Sequence, residues 1–126
     1  MQWLSGVVER GDGRGRALGF ATANLSVQDL PADLQDGVWA AWCRVGSDTT
    51  VRQGALHVGP RPTFDDEIRR VEVHILDFED RDLYGEELAF QPVRWLRGVE
   101  KFSSVEDLVA AIAHDCRQVE EFLSGI

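Results

Sequence analysis

Between Arg10 and Asn24 the chain carries Gly11-Asp12-Gly13-Arg14-Gly15-Arg16, then Thr22 and Asn24 one residue apart. Glycines let backbone N–H groups come close enough to cradle phosphate oxygens, and arginines beside them add bidentate, charge-assisted contacts. Arg10, Arg14 and Arg16 against Asp12 make this stretch locally +2 (three minus one), and no acid occurs from Gly13 to Gln28. In a chain of formal net charge −9, one basic glycine-rich loop points to a small anionic ligand and away from nucleic acid. The loop is not a Walker P-loop, because no Gly-Lys-Ser/Thr and no helical pattern follow it. A ligand-free surface loop has the same composition, so these residues decide nothing alone.

In an extended stretch Thr22 and Asn24 point the same way and offer a hydroxyl and an amide oxygen to one spot. Neutral oxygens suit a magnesium ion that takes most of its coordination from phosphates and water, although turn capping is the commoner role of both residue types. Glu72 lies in a run where Val71, Val73 and Ile75 share one face and Glu72 and His74 the other. Facing water it is an ordinary surface acid. Beside a phosphate loop it is the carboxylate that transfer to an alcohol needs, to orient the hydroxyl and accept its proton. Trp39, Trp42, Phe64, Tyr84, Trp95 and Phe102 read mostly as core, and Phe102, next to Arg97 and Lys101, alternatively suits stacking on a flat heterocycle.

The elements that must position these residues are mostly strands. The chain has 126 residues, 44% of them hydrophobic, which fits one domain over residues 1–126. Alternation predicts strands at Gly6–Val8, Gly37–Val45, Val51–Val58, Arg70–Phe78 and Glu87–Leu96, with Gly59-Pro60-Arg61-Pro62 as a stiff turn ending the third. The glycines from Gly11 to Gly19 predict a loop running to Asn24. Ser103-Ser104-Val105-Glu106 has capping-box spacing, and Val105, Leu108, Val109, Ile112, Cys116, Val119 and Leu123 recur at a helical period over about five turns. An antiparallel barrel closed or flanked by a terminal helix follows. No run reaches the ~20 apolar residues of a membrane span, and no basic-then-apolar leader opens the chain, so a cytoplasmic location is expected. Cys43 and Cys116 are far apart, His57, His74 and His114 are scattered, and no zinc-ligand spacing exists.

Taken in order, the segments resemble the riboflavin kinase family, including the kinase module of bacterial bifunctional riboflavin kinase/FAD synthetases. The matching stretches are Gly11 to Phe20, Ala21-Thr22-Ala23-Asn24-Leu25, Gly37-Val38-Trp39-Ala40, His57 to Phe64, Val71-Glu72-Val73-His74-Ile75-Leu76-Asp77-Phe78, Asp82-Leu83-Tyr84-Gly85, Leu96-Arg97 and Lys101-Phe102. The resemblance implies a six-stranded antiparallel Greek-key β-barrel with a C-terminal α-helix. It implies transfer of the γ-phosphate of ATP to the 5′-hydroxyl of riboflavin, giving FMN and ADP, with Mg2+ or another divalent cation. Carried over by position, Gly11 and Arg16 line the nucleotide phosphates and Thr22 and Asn24 hold metal and phosphates. Glu72 is the catalytic base, Ile75, Asp77 and Tyr84 border the nucleotide, and Arg97, Glu100 and Phe102 contact the flavin. The family's Pro-Thr-Ala-Asn has Ala21 in place of its proline, a loss of loop stiffness of about 0.4–1 kcal/mol that removes no ligand atom. That departure leaves a catalytically silent flavin- or nucleotide-binding regulatory module as the alternative. Bacterial members commonly add an FMN adenylyltransferase domain, so a longer parent chain is also implied.

Overall fold

Six strands alternate apolar and polar residues and curl into a closed barrel: β1 (Leu4–Glu9), β2 (Ala21–Ser26), β3 (Gly37–Val45), β4 (Arg52–Arg61), β5 (Asp66–Ile75) and β6 (Glu87–Arg97). One helix, α1 (Val105–Ser124), follows. The structure is a computed structural model and describes residues 2–9, 21–61, 66–78 and 82–125. Around the barrel the order is β1-β2-β5-β4-β3-β6, every neighbouring pair antiparallel. Strands β3, β4 and β5 form a meander, and β6 returns to lie beside β3, which is the Greek-key arrangement.

The pleat decides what lies inside. Ala23 and Leu25 of β2, Leu56 and Val58 of β4, Val71, Val73 and Ile75 of β5, and Phe90 of β6 fill the interior. Their alternates, Thr22, Asn24, His57, Glu72 and His74, therefore face outward. A second apolar cluster lies on the outer surface, where Ala40 and Ala55 meet Val119 and Leu123 of α1. The two alanines lack bulk, so the helix packs close against β3 and β4.

Four boundaries differ from the expected ones. Residues Ala21–Ser26 form a strand where a loop to Asn24 was expected. The last glycine of that stretch is Gly19, and beyond it Ala23 and Leu25 alternate with Thr22 and Asn24. Strand β4 runs through Gly59 and Pro60, because Gly59 at φ +128° and a register shift between Gly59 and Arg61 absorb the irregularity. Strand β5 starts at Asp66 and stops at Ile75, where Leu76 and Asp77 turn the chain and Asp77 takes φ 51°. The helix cap is Ser104, not Ser103: Asp107 N–H donates to Ser104 Oγ at 3.1 Å, and Ser103 Oγ donates to Asp107 Oδ2 at 2.9 Å. Val105 then lies exposed at the first position instead of on the packed face.

Gly37 starts β3 at φ +139°, and a Cβ there would strike the Arg97 carbonyl and sit 2.6 Å from Trp95 Nε1. Gly85 has φ +83° and open space around the same position. Gly85→Ala should therefore cost only the left-handed backbone penalty of about 1–2 kcal/mol. Gly37→Ala should cost at least roughly twice that, since main-chain atoms must also move. Urea unfolding of the two variants measures the difference.

Candidate active site on the outer face of the barrel

Strand pairing sets the outward side chains in rows. Asn24 on β2 lies opposite Glu72 on β5, and Glu72 lies opposite His57 on β4. His57 pairs with Val38 on β3, and Val38 with Arg97 on β6. One row thus runs Asn24, Glu72, His57, Val38, Arg97. The next holds Thr22, His74 and Ala55, with Ala55 opposite Ala40. From Glu72 to Arg97 is three strand spacings, about 14 Å along the sheet.

At the first end of the row, Thr22 Oγ1 lies 2.9 Å from His74 Nδ1. His74 Nε2 is 3.5 Å from Glu72 Oε1, with the two side chains only 9% and 16% exposed. A carboxylate on the outside of a barrel is therefore not a freely solvated one here. Glu9, the last described residue of β1, pairs with Asn24. Gly11 and Arg16, the expected phosphate-binding residues, lie outside the described residues.

At the other end, Arg97 donates through Nε to Asp115 Oδ1 at 2.9 Å and through Nη2 to Asp115 Oδ2 at 2.8 Å. Asp115 is buried on α1, and the paired charge-assisted hydrogen bonds are what make a buried carboxylate tolerable. Phe102 lies with its ring 5.6 Å from the Arg97 guanidinium, and Glu100 Oε2 is 4.0 Å from Arg97 Nη1. The three residues expected at the flavin therefore sit together. Asp115 raises the basicity of Arg97 chiefly through its hydrogen bonds, against the opposing effect of burial.

The residues expected at the nucleotide divide. Asp77 is exposed at the turn after β5, where its carbonyl accepts from Arg52 Nη1 at 3.2 Å. Tyr84 is exposed, with its N–H donating to Asp82 Oδ1 at 2.9 Å. Ile75 is packed inside the barrel, so only its backbone is placed to border a ligand.

Two members of the site escaped sequence reasoning. His57 was read only as one of three scattered histidines, yet it stands between Glu72 and Arg97, its Nε2 3.0 Å from the Pro60 carbonyl oxygen. Burial lowers its basicity more than that carbonyl and Glu72 raise it. Asp115 interrupts the apolar stripe between Ile112 and Val119, and an acid on the packed face was the signal available.

Hard oxygen donors from Thr22 and Asn24 beside the Glu72 carboxylate fit a magnesium-like cation. Among the described residues no group of three or more His, Cys, Asp and Glu could hold a metal by itself. The fit is to a cation that phosphates and water also coordinate.

The chain matches the Flavokinase family, described as riboflavin kinase, over residues 2–123. It is 36% identical over 122 residues to riboflavin kinase of Homo sapiens, which covers 94% of this chain and 78% of that protein. It is 38% identical over 122 residues to the bifunctional riboflavin kinase/FMN adenylyltransferase of Listeria monocytogenes, over 96% of this chain and 38% of that one. It spans 18% of a trifunctional Mycoplasmoides gallisepticum relative. The solved riboflavin kinase of Trypanosoma brucei superimposes with a TM-score of 0.68 at 23% identity, over 97% of this chain and 79% of that one, a likeness of fold. This chain belongs to the riboflavin kinase family, whose members use ATP and riboflavin to make FMN. No described helix is long and apolar enough to cross a membrane.

Burial pushes His74 down from 6.5 to about 4, against the opposing pull of Asp115. The unfolded chain takes up a proton near 6.5 that the folded chain refuses until about 4. This contribution to stability is complete above the unfolded value and is lost as pH falls through that window, by about 3 kcal/mol at the limit. In the metal-free protein, urea midpoints should therefore fall between pH 7 and pH 4.5 more steeply than in His74→Gln; parallel curves would show that His74 does not set the acid limb.

Proposed function

We propose that this chain transfers the γ-phosphoryl group of ATP in line to the 5′-hydroxyl of riboflavin, with Glu72 as the base. The observation that carries the assignment of roles is the pairing of Asn24 with Glu72, which sets the cation-suited oxygens beside the carboxylate at one end of a row whose other end is Arg97 and Phe102. The flavin ring rests at Arg97, Phe102 and Glu100, and the ribityl chain runs back along the outer face toward Glu72. Gly11, Arg16, Thr22 and Asn24 take the triphosphate, bordered by Asp77, Tyr84 and the Ile75 backbone.

The chemistry is short. The 5′-oxygen forms a bond to the γ-phosphorus while the bond from that phosphorus to the β,γ-bridging oxygen breaks, and ADP leaves. The hydroxyl proton passes to Glu72. Thr22 and Asn24 would hold a magnesium ion, which would supply neutralisation of phosphate charge; this chain's own part is to hold the alcohol and the phosphates in line, which is most of what phosphoryl transfer requires. Ala21 pairs with Ile75 in β2, so strand pairing holds the backbone that the family's proline would stiffen. That favours an active enzyme over a silent module. The reaction belongs in the cytoplasm, where ATP is available.

Glu72→Gln should retain binding of ADP and FMN while FMN formation from ATP, magnesium and riboflavin falls by about 10²–10⁴-fold, the usual weight of a general base. Turnover near wild type would remove Glu72 from the mechanism, and wild-type protein that binds both ligands without making FMN would establish the silent module. Bacterial relatives join the kinase to an FMN adenylyltransferase, and we place this chain in such a parent. An antibody to the chain should then detect, in source cells, a protein well above 14.1 kDa; a single band at that mass would refute the placement.

A further inference from the structure

We infer that His74 is a positioning residue that sets the hydroxyl of Thr22 and the carboxylate of Glu72 in their working orientations through its two ring nitrogens. The inference rests on the kinase reading for what those two groups do, but its geometry stands independently.

The pleat puts Glu72 and His74 on the same face of β5, and the register puts Thr22 opposite His74. The ring is buried, with Ala55 of the helix-covered cluster as its partner on the other side. The Thr22 hydroxyl and the Glu72 carboxylate lie against opposite ring nitrogens; the carboxylate can only accept while the hydroxyl can donate, and an imidazole with a single N–H offers one donor and one acceptor to that pair. If Nδ1 carried the proton, the lone pair on Nε2 would face the Glu72 oxygen 3.5 Å away, acceptor against anion. With the proton on Nε2, a positive edge faces Glu72, and Nδ1 accepts the Thr22 O–H at 2.9 Å. The second tautomer is the favourable one. The contact to Glu72 is long for a hydrogen bond and acts chiefly by charge.

Two consequences follow. The only proton on Thr22 Oγ1 is turned toward the ring, so the oxygen presents lone pairs elsewhere, as a cation ligand must. Glu72, a flexible side chain, gains a fixed positive edge on one side and is held on the outer face next to Asn24. At the opposite end of the row Asp115 binds Arg97.

The experiment has two arms. In ¹⁵N-histidine-labelled protein, long-range proton–nitrogen correlations should show His74 as the Nε2–H tautomer, with Nδ1 shifted as an acceptor. Thr22→Val should move the Nδ1 resonance, and Glu72→Gln the Nε2 resonance. An Nδ1–H tautomer, or resonances unmoved by both variants, overturns the inference whether or not the protein is a kinase.

The kinetic arm uses shape mimics. The amide oxygen of His74→Asn replaces Nδ1, and the amide N–H of His74→Gln replaces Nε2–H. Relative to His74→Leu, which should lose about 10–100-fold in both magnesium–ADP affinity and kcat, the asparagine should restore mainly affinity and the glutamine mainly kcat. Magnesium–ADP affinity is read by calorimetry, without turnover. Equal losses in all three variants, in proportion to folded protein, would mean that His74 only fills space.

Discussion

A six-stranded barrel has an interior only wide enough for its own side chains, and here that interior is taken by Leu56, Val58, Val73, Phe90 and their neighbours. No ligand can be accommodated there, so any chemistry must be built on the outside, from the polar alternates of the same strands. This constraint explains why an acid and a histidine can stand in the middle of an apolar strand. Val71, Val73 and Ile75 secure β5 in the barrel, and the same alternation delivers Glu72 and His74 to the outer face.

An outer face would ordinarily be wet, and a wet carboxylate is a weak instrument. Here it is not: His74 is buried and Glu72 is only 16% exposed. Farther along the same face helix α1 packs Val119 and Leu123 on Ala40 and Ala55, and it brings Asp115 to Arg97. Burial lowers the basicity of both His57 and His74, which keeps this face from accumulating positive charge of its own. Arg97 is a cation held in place on this face by Asp115.

Much of this was legible in the residues. The alternation around Glu72 and the period of α1 required no knowledge of the fold, and the resemblance supplied the reaction. The boundaries that slipped did so for local reasons. Ser104 displaced Ser103 as cap because the N–H of Asp107, not that of Glu106, donates to a serine Oγ, while the Asp107 carboxylate accepts from Ser103. Strand β4 passed through Gly59 and Pro60 because a bulge can absorb a proline that a regular ladder cannot. His57 and Asp115 were missed because their importance lies in partners from other strands and the helix, and no spacing within their own segments reveals it.

The amino-acid sequence by itself determined which face of β3 and β5 is apolar, which face of the helix packs, and which residue types were present for phosphate, cation and proton chemistry, because the first two depend on periods of two and 3.6 within a single element. Tertiary structure alone decided that Thr22 meets His74 across a separation of 52 residues, that Asn24 lies beside Glu72, and that Arg97 finds Asp115. Barrel closure sets those registers, and closure is a property of all six strands packing one interior together, which no single segment encodes.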